Sequence, residues 1–291
     1  MYNGKISKEK EERIKVFEDT KNLVKTNEVI KESLRKSVEG QILIKENESI
    51  EAKMPACSVN KDRYTEEAEI KVSKKRTFEA ASAYPGKKVC VLNFASASNP
   101  GGGVERGAGA QEECLCRVST LYFCLNTPEM WDGFYTPHRA EHNPLHNNDI
   151  IFTPHVTVFK TDTAMPERMK ESEWYDVDII TCAAPNLRQL PSNQYNPGDG
   201  KHPVKILDSE LFSLHFKRFK RILDVAVASG AEVIILGAFG CGAFQNDPKV
   251  VAKAAKDIIE EYRNSLETIE FAVYCRDFED ENYQVFRSVF A

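Results

Sequence analysis

Four short runs that are apolar on both faces limit what this chain can fold into more than any other feature. Val89 to Phe94 (VCVLNF), Val177 to Ala183 (VDIITCA), Val233 to Leu236 (VIIL) and Ile269 to Cys275 (IEFAVYC) lack the apolar–polar alternation of a strand with one wet face. They read as strands covered by helices on each side. Helical patterns lie between them. Phe212, Phe216, Phe219, Leu223 and Ala226 recur at helical spacing before Gly230. Asp247 and Pro248 then open a second helix carrying Val251, Ala255, Ile258 and Tyr262, because Asp is favoured as an N-cap and Pro at the first helical position. Alternating strands and helices predict one α/β sandwich, whose ligands bind at the carboxyl ends of its strands. Upstream, Ile14, Phe17, Leu23, Val24, Val29, Ile30 and Leu34 are spaced among Lys and Glu as in one or two amphipathic helices lying on the core. Residues 52–77 are polar and irregular apart from a short strand near Ala68 to Val72. The expected organisation is one domain over 1–291, with a helical accessory region at 1–77 and the core at 78–291.

Composition says how a ligand must be held. Thirty-nine Lys and Arg against 44 Asp and Glu leave a net charge of −5, so no general positive field draws in a polyanion. Sequence-specific nucleic-acid binding is not expected, and an anionic ligand must be gripped by backbone amides or a few side chains. The longest apolar runs, such as Val233 to Ala238, fall far short of the roughly 20 residues of a membrane helix. The charged N-terminus has no signal-peptide core, so a cytoplasmic location and no membrane association are expected. Among eight cysteines, Cys90, Cys182, Cys241 and Cys275 sit in or beside strand-like runs, which suits reduced, buried thiols. Cys114, Cys116 and Cys124 lack the paired spacing of a zinc site, and no metal is expected. His138, His142 and His146 lie around Pro137 and Pro144, which predicts a solvated loop rather than a helix.

The first strand runs into ASASNPGGGVERGAGAQEECLCR. Gly101, Gly102 and Gly103 in succession cost backbone entropy and give the core nothing to pack, which is understandable where a ligand approaches exposed amides in a concave nest. After Gln111, helical spacing resumes with Leu115, Val118 and Leu121 or Tyr122, so Gln111, Glu112 and Glu113 fall at a helix N-terminus, where carboxylates are favoured. The third strand runs into Gly237-Ala-Phe-Gly240-Cys-Gly242-Ala-Phe and then the helix at Asp247. Strand, glycine loop and helix start is an arrangement that cradles a phosphate or diphosphate. The spacing G-x-x-G-x-G fits neither a P-loop nor the dinucleotide fingerprint.

At NPGGGVERGAGAQEE the sequence resembles the bacterial-type poly(ADP-ribose) glycohydrolases, a branch of the macrodomain superfamily whose signature is GGG, a spacer of six to eight residues, then QEE. Here the spacer is VERGAGA, seven residues. The preceding VLNFASASNP, the trailing CRVSTLY, the later GAFGCGAF and the early RIKVFEDTKNLV look like the same family. The resemblance implies a macrodomain-like three-layer α/β/α sandwich with a mixed, mostly parallel central sheet and extra N-terminal helices. It implies that Glu113 is the catalytic carboxylate and that Glu112 holds the ribose and positions its neighbour. Asn99, Gly101, Gly102, Gly103 and Gln111 would line the ribose side, and Gly240, Cys241, Gly242, Ala243 and Phe244 would wrap the diphosphate. Tyr274 or Phe278 would stack on the adenine. The substrate would be poly(ADP-ribose) or ADP-ribosylated protein, the product ADP-ribose released from chain ends, and no cofactor would be needed.

Adjacent residues on a helix point about 100° apart, so Glu112 and Glu113 are not expected to flank one bond as the two carboxyls of an ordinary glycosidase do. One acid–base carboxylate is the better expectation, and an acid donor needs a raised pKa, which burial against the glycine loop can supply. Three rival readings share the glycine loops: an ADP-ribose-binding module without catalysis, a hydrolase of another ADP-ribosyl linkage on protein or DNA, and a scaffold that binds a different nucleotide. Trp131, Phe134 and Tyr135 are expected either to cap the site or to pack beneath the loop.

Overall fold

The structure, a computed structural model, describes residues 7–54, 59–188, 204–276 and 278–291. Its elements run α1 (Lys8–Thr26), α2 (Glu28–Glu39), β1 (Ile42–Ile44), α3 (Ile50–Lys53), β2 (Glu69–Ser73), α4 (Thr77–Ala81), β3 (Val89–Phe94), α5 (Gln111–Val118), α6 (Leu121–Leu125), α7 (Pro128–Met130), a π-turn (Trp131–Tyr135), α8 (Thr136–Glu141), β4 (Ile150–Val158), β5 (Tyr175–Cys182), α9 (Asp208–Ala228), β6 (Val233–Leu236), α10 (Pro248–Ile259), β7 (Thr268–Ala272) and α11 (Glu281–Phe290).

The strands form one sheet in the order β1-β4-β5-β3-β6-β7-β2. Pairing is parallel from β5 across to β2 and antiparallel at β4–β5 and β1–β4. The apolar runs serve two cores at once. In β3, Cys90 and Leu92 face the layer of α9, α10 and α11, while Val89 and Val91 face the layer of α4, α5 and the N-terminal helices. β6 repeats this with Ile234 and Leu236 on one side and Val233 and Ile235 on the other, as strand geometry requires. Helix starts follow local chemistry. Asn27 ends α1 and caps α2, accepting from Ile30 N at 3.0 Å, and Asp247 caps α10, accepting from Lys249 N at 2.7 Å.

Residues 1–77 do more than the helical accessory role expected of them, since they supply both edge strands. β1 pairs with β4, and β2 pairs in parallel with β7. Strand β4 is a further departure. Pro154 and His155 interrupt its sequence, and the structure absorbs them in a register shift between Thr153 and Val156, with His155 at φ 54°, which is how bulges accommodate residues that cannot pair. The histidines are a third. Pro137 lies in the first turn of α8, directly after the π-turn, and His138 and His146 are buried; of these three histidines only His142 is exposed. Phe134 and Tyr135 pack wholly inside the core. Cys90, Cys114, Cys116, Cys124, Cys182 and Cys241 are free thiols, and Cys57 lies outside the described residues. No described helix is long and apolar enough to cross a membrane.

Candidate active site

β3 and β6 are adjacent and parallel, with Val91 opposite Ile235, so both glycine loops leave the same edge of the sheet side by side. Gly237 is what lets them meet. A Cβ there would lie 2.7 Å from the Ala272 carbonyl and 2.9 Å from the Phe94 ring. Between the loops lies a cavity of about 820 Å³.

The first loop is shaped around two carboxylates. Gln111, the first residue of α5, fastens that helix to the end of β3: its Oε1 accepts from Phe94 N (2.9 Å), and its Nε2 donates to Leu92 O (2.8 Å) and Thr77 Oγ1 (3.1 Å). Glu112 is buried and accepts from Ser96 N at 2.8 Å and from Asn93 Nδ2 at 3.3 Å. Burial, and then the neighbouring Glu113 charge, push its carboxyl well above the ordinary range, toward the neutral form. Glu113 is buried too, but unequally engaged. Its Oε1 accepts from Gly103 N at 2.8 Å, whereas Oε2 has no protein partner. Gly102, at φ 58°, is glycine for the same reason: a Cβ would stand 2.5 Å from Glu113 Oε1.

The second loop is knotted from below. Asn246 Nδ2 donates toward the carbonyls of Pro185 (2.7 Å), Gly240 (3.1 Å) and Phe244 (3.2 Å), and its Oδ1 accepts from His215 Nε2 at 2.8 Å. With the Asn246 nitrogen engaged by carbonyls, Nε2 of His215 must carry the proton. Burial lowers His215 to about 4 and His146, whose ring stands 6.3 Å from Phe244, to about 3. Gly240, at φ 82°, has no room for a Cβ against Ala184.

Of the residues singled out in the sequence, Asn99, Gly102, Gly103, Gln111, Glu112, Glu113, Gly240, Gly242, Ala243, Phe244 and Tyr274 line the cavity. Gly101 does not. Its Cβ direction points into Tyr122, Cys116 and Val104, so it turns the chain. The Cys241 thiol points back to Phe239 O at 3.9 Å. Phe278 is 76% exposed and outside the lining, so of the two aromatics considered for the adenine only Tyr274 lines the cavity. Gln111 lines the wall, with its amide committed to Leu92, Phe94 and Thr77. Sequence reasoning missed Arg76, whose guanidinium stacks 4.0 Å over Tyr274, and also Asn246 and the other cavity arginines, Arg13, Arg106, Arg117, Arg188 and Arg276. The six arginines share the lining with five acids, Glu9, Glu12, Glu112, Glu113 and Asp162, so cationic groups are available locally although the chain as a whole is negative. Among the described residues no three His, Cys, Asp or Glu are grouped to hold a metal ion.

The microbial-type PARG catalytic domain matches residues 3–161, the stretch that carries the glycine loop, Gln111, Glu112 and Glu113. The chain belongs to the microbial-type poly(ADP-ribose) glycohydrolase (PARG) family. It is therefore a hydrolase of glycosidic bonds. Solved PARG structures share its fold. The poly(ADP-ribose) glycohydrolase of Thermomonospora curvata is 27% identical with a TM-score of 0.79, over 96% of this chain and 100% of that one. The Thermomonospora enzyme bound to the inhibitor ADP-HPD is 27% identical with a TM-score of 0.77, over 96% and 99%. The PARG of Deinococcus radiodurans in complex with ADP-ribose is 29% identical with a TM-score of 0.73, over 88% and 96%. No curated protein sequence matches this PARG chain.

Proposed function

We propose that the chain hydrolyses the ribose–ribose O-glycosidic bonds of poly(ADP-ribose) from chain ends, releasing ADP-ribose, with Glu113 as the acid–base residue of a macrodomain-type site. One observation carries this reading. In a cavity walled by two glycine loops, the carboxylate of Glu113 is held by Gly103 N through one oxygen and leaves the other, buried and unpartnered, for a substrate.

The diphosphate lies along Gly240 to Phe244, the adenine lies on Tyr274, and the terminal ribose comes against Gly102, Gly103 and Asn99. Glu113 protonates the departing 2′ oxygen as the anomeric C–O bond breaks. The ribose becomes oxocarbenium-like, and the nearby diphosphate offsets its positive charge. Glu113, now ionised, takes a proton from the water that adds to the anomeric carbon and returns to its starting state. Such acid–base assistance is worth roughly 10² to 10⁴ in rate. Glu112, pushed toward neutrality and bound to Ser96 N and Asn93, positions the loop without placing a second full charge beside the reacting carboxylate.

The chain-end preference is supported by α1. Its residues Glu9, Glu12, Arg13 and Val16 line the cavity, and Lys10 and Arg13 crowd Gly107 and Gly109 so closely that neither has room for a side chain. That wall closes on Gly107 and Gly109 at the end of the first loop, and on this reading it blocks a polymer from running on past the site. Because both sheet edges come from residues before 77, the whole chain acts as one domain. Buried free thiols such as Cys90, Cys116, Cys124 and Cys182 suit a reducing compartment such as the cytoplasm.

The test compares poly(ADP-ribosyl)ated protein with mono-ADP-ribosylated protein and DNA, reading free ADP-ribose. Release from the polymer by the wild-type chain, lost in Glu113→Gln while ADP-ribose still binds, is the expected result. Release from a mono-linked substrate instead transfers the activity to another ADP-ribosyl bond, and turnover by Glu113→Gln at the wild-type rate removes Glu113 from its role.

A further inference from the structure

Besides Ser96 Oγ, which accepts from Ser98 N and Asn99 N within the loop, the first glycine loop is fixed by a side chain from outside it. Arg139, in α8, donates from Nε to the Ser98 carbonyl and from Nη2 to Asn99 Oδ1, both at 2.7 Å. Its guanidinium lies 4.4 Å over the ring of Trp131, whose indole N–H donates to Asn126 Oδ1 at 2.8 Å. An amide side chain can turn either its oxygen or its nitrogen toward a ligand. With Arg139 on Oδ1, and Nδ2 donating to Ser98 Oγ at 3.1 Å, the Asn99 amide is held one way round, with a single N–H left for an acceptor in the cavity it lines. The backbone continues the linkage. Asn99 O accepts from Gly102 N at 3.0 Å, and the next amide, Gly103 N, holds Glu113 Oε1 at 2.8 Å.

We infer that Arg139 is a positioning residue of the hydrolytic reaction. Stacked on Trp131, it acts through Asn99, presenting the N–H of that amide to the substrate and keeping the Gly103 amide in line with Glu113. The inference rests on the function proposed above. Lysine cannot substitute for it, because an ammonium is a point charge without the planar fork that reaches two oxygens and stacks on a ring.

The experiment uses the full chain and poly(ADP-ribosyl)ated protein, and reads kcat, KM and melting temperature for Arg139→Lys, Asn99→Ala, the double variant and Trp131→Ala. Arg139→Lys lowers kcat by roughly tenfold or more, since small misplacements at a reacting centre are costly, and changes KM less than kcat. The double variant is no worse than Asn99→Ala alone, because residues that act as a unit are not additive. Trp131→Ala moves kcat in the same direction. Wild-type kcat in Arg139→Lys, losses that multiply in the double variant, or a loss confined to KM overturn the inference. If Arg139→Lys melts too early to assay, Trp131→Ala decides, since it leaves both donors of Arg139 in place: lower kcat supports the clamp and wild-type kcat removes it. A wild-type chain that releases no ADP-ribose from polymer refutes the proposed function itself, whereas wild-type release matched by Arg139→Lys refutes only the clamp.

Discussion

Adding one methyl at Gly102 tests the site at its tightest point. Gly102→Ala carries two penalties that the structure separates. The first is conformational: at φ 58° an alanine costs roughly 1–2 kcal/mol more than a residue in an ordinary region. That loss lowers the melting temperature by about 2–4 °C per kcal/mol in a domain approaching this size. The second penalty falls on the carboxylate. The new Cβ would sit 2.5 Å from Glu113 Oε1, where ordinary contact begins at 3.4 Å. The carboxylate must therefore retreat by about 0.9 Å, and its 2.8 Å bond from Gly103 N cannot survive that movement unchanged. A displacement of about 1 Å at a reacting centre costs on the order of 100-fold in rate. The expected variant is folded, melts a few degrees lower and releases ADP-ribose about 100-fold more slowly. Initial rates at saturating polymer, with a melting curve on the same sample, check both penalties. A variant that turns over at the wild-type rate shows that the contact between loop and carboxylate does not govern catalysis, and the reasoning fails.

Gly242→Ala is the contrasting case. Its Cβ meets nothing within 4 Å in the protein, so the fold tolerates it, while the methyl enters the space beside the second loop's amides; ADP-ribose binding weakens by roughly tenfold, about one hydrogen bond, and calorimetry showing unchanged affinity would remove the diphosphate from that loop. Asn246→Ala removes a donor from the carbonyls of Pro185, Gly240 and Phe244 and the acceptor of buried His215, and urea titration should show about 2–4 kcal/mol of lost stability; a loss well under 1 kcal/mol contradicts the knot. Acid stability follows from the buried histidines. Burial lowers His215 and His146 from the ordinary 6.5 to about 4 and about 3, so both are neutral in the folded chain while the unfolded chain takes up their protons first. The contribution is fully present above 6.5 and is lost as pH falls through the window toward 4 and 3, amounting to about 3 kcal/mol for His215 alone. His215→Gln should flatten that part of the stability profile, and an equally steep loss in the variant sinks the argument.

The sheet was legible where burial dictates composition. β3, β5, β6 and β7 are covered on both faces and are therefore mostly apolar on both, with only a few buried polar residues such as Asn93, Asp178 and Glu270. β4 was hidden because Pro154 and His155 look like a break, and only the pairing with β5 turns them into a bulge. β2, Glu69–Ser73, falls where the short strand near Ala68 to Val72 was expected, whereas β1 was missed because its three residues are too few to show a period. At the site, positions dictated by backbone were legible, since Gly102 and Gly240 occupy φ values that most side chains avoid. Partners set by tertiary contact were not: Asn246 reaches His215 across 31 positions and Arg139 reaches Asn99 across 40, and neither pair leaves a local pattern. The histidine error has the same origin. His146 is buried by elements brought to it from elsewhere in the chain, Arg218 of α9 among them, and nothing in the neighbouring sequence announces them.

The outermost strand of the parallel side has a consequence for how the molecule is made. β2 is synthesised early, yet its only neighbour among the described strands is β7; the Ser73 hydroxyl meets Glu270 across 197 positions of sequence. Until β7 has left the ribosome, β2 has unsatisfied amides and no ladder to join. Closing so long a loop is slow, and the waiting edge can pair with other chains. Yield on expression should therefore depend on chaperone supply and temperature more than the stability of the finished molecule would suggest.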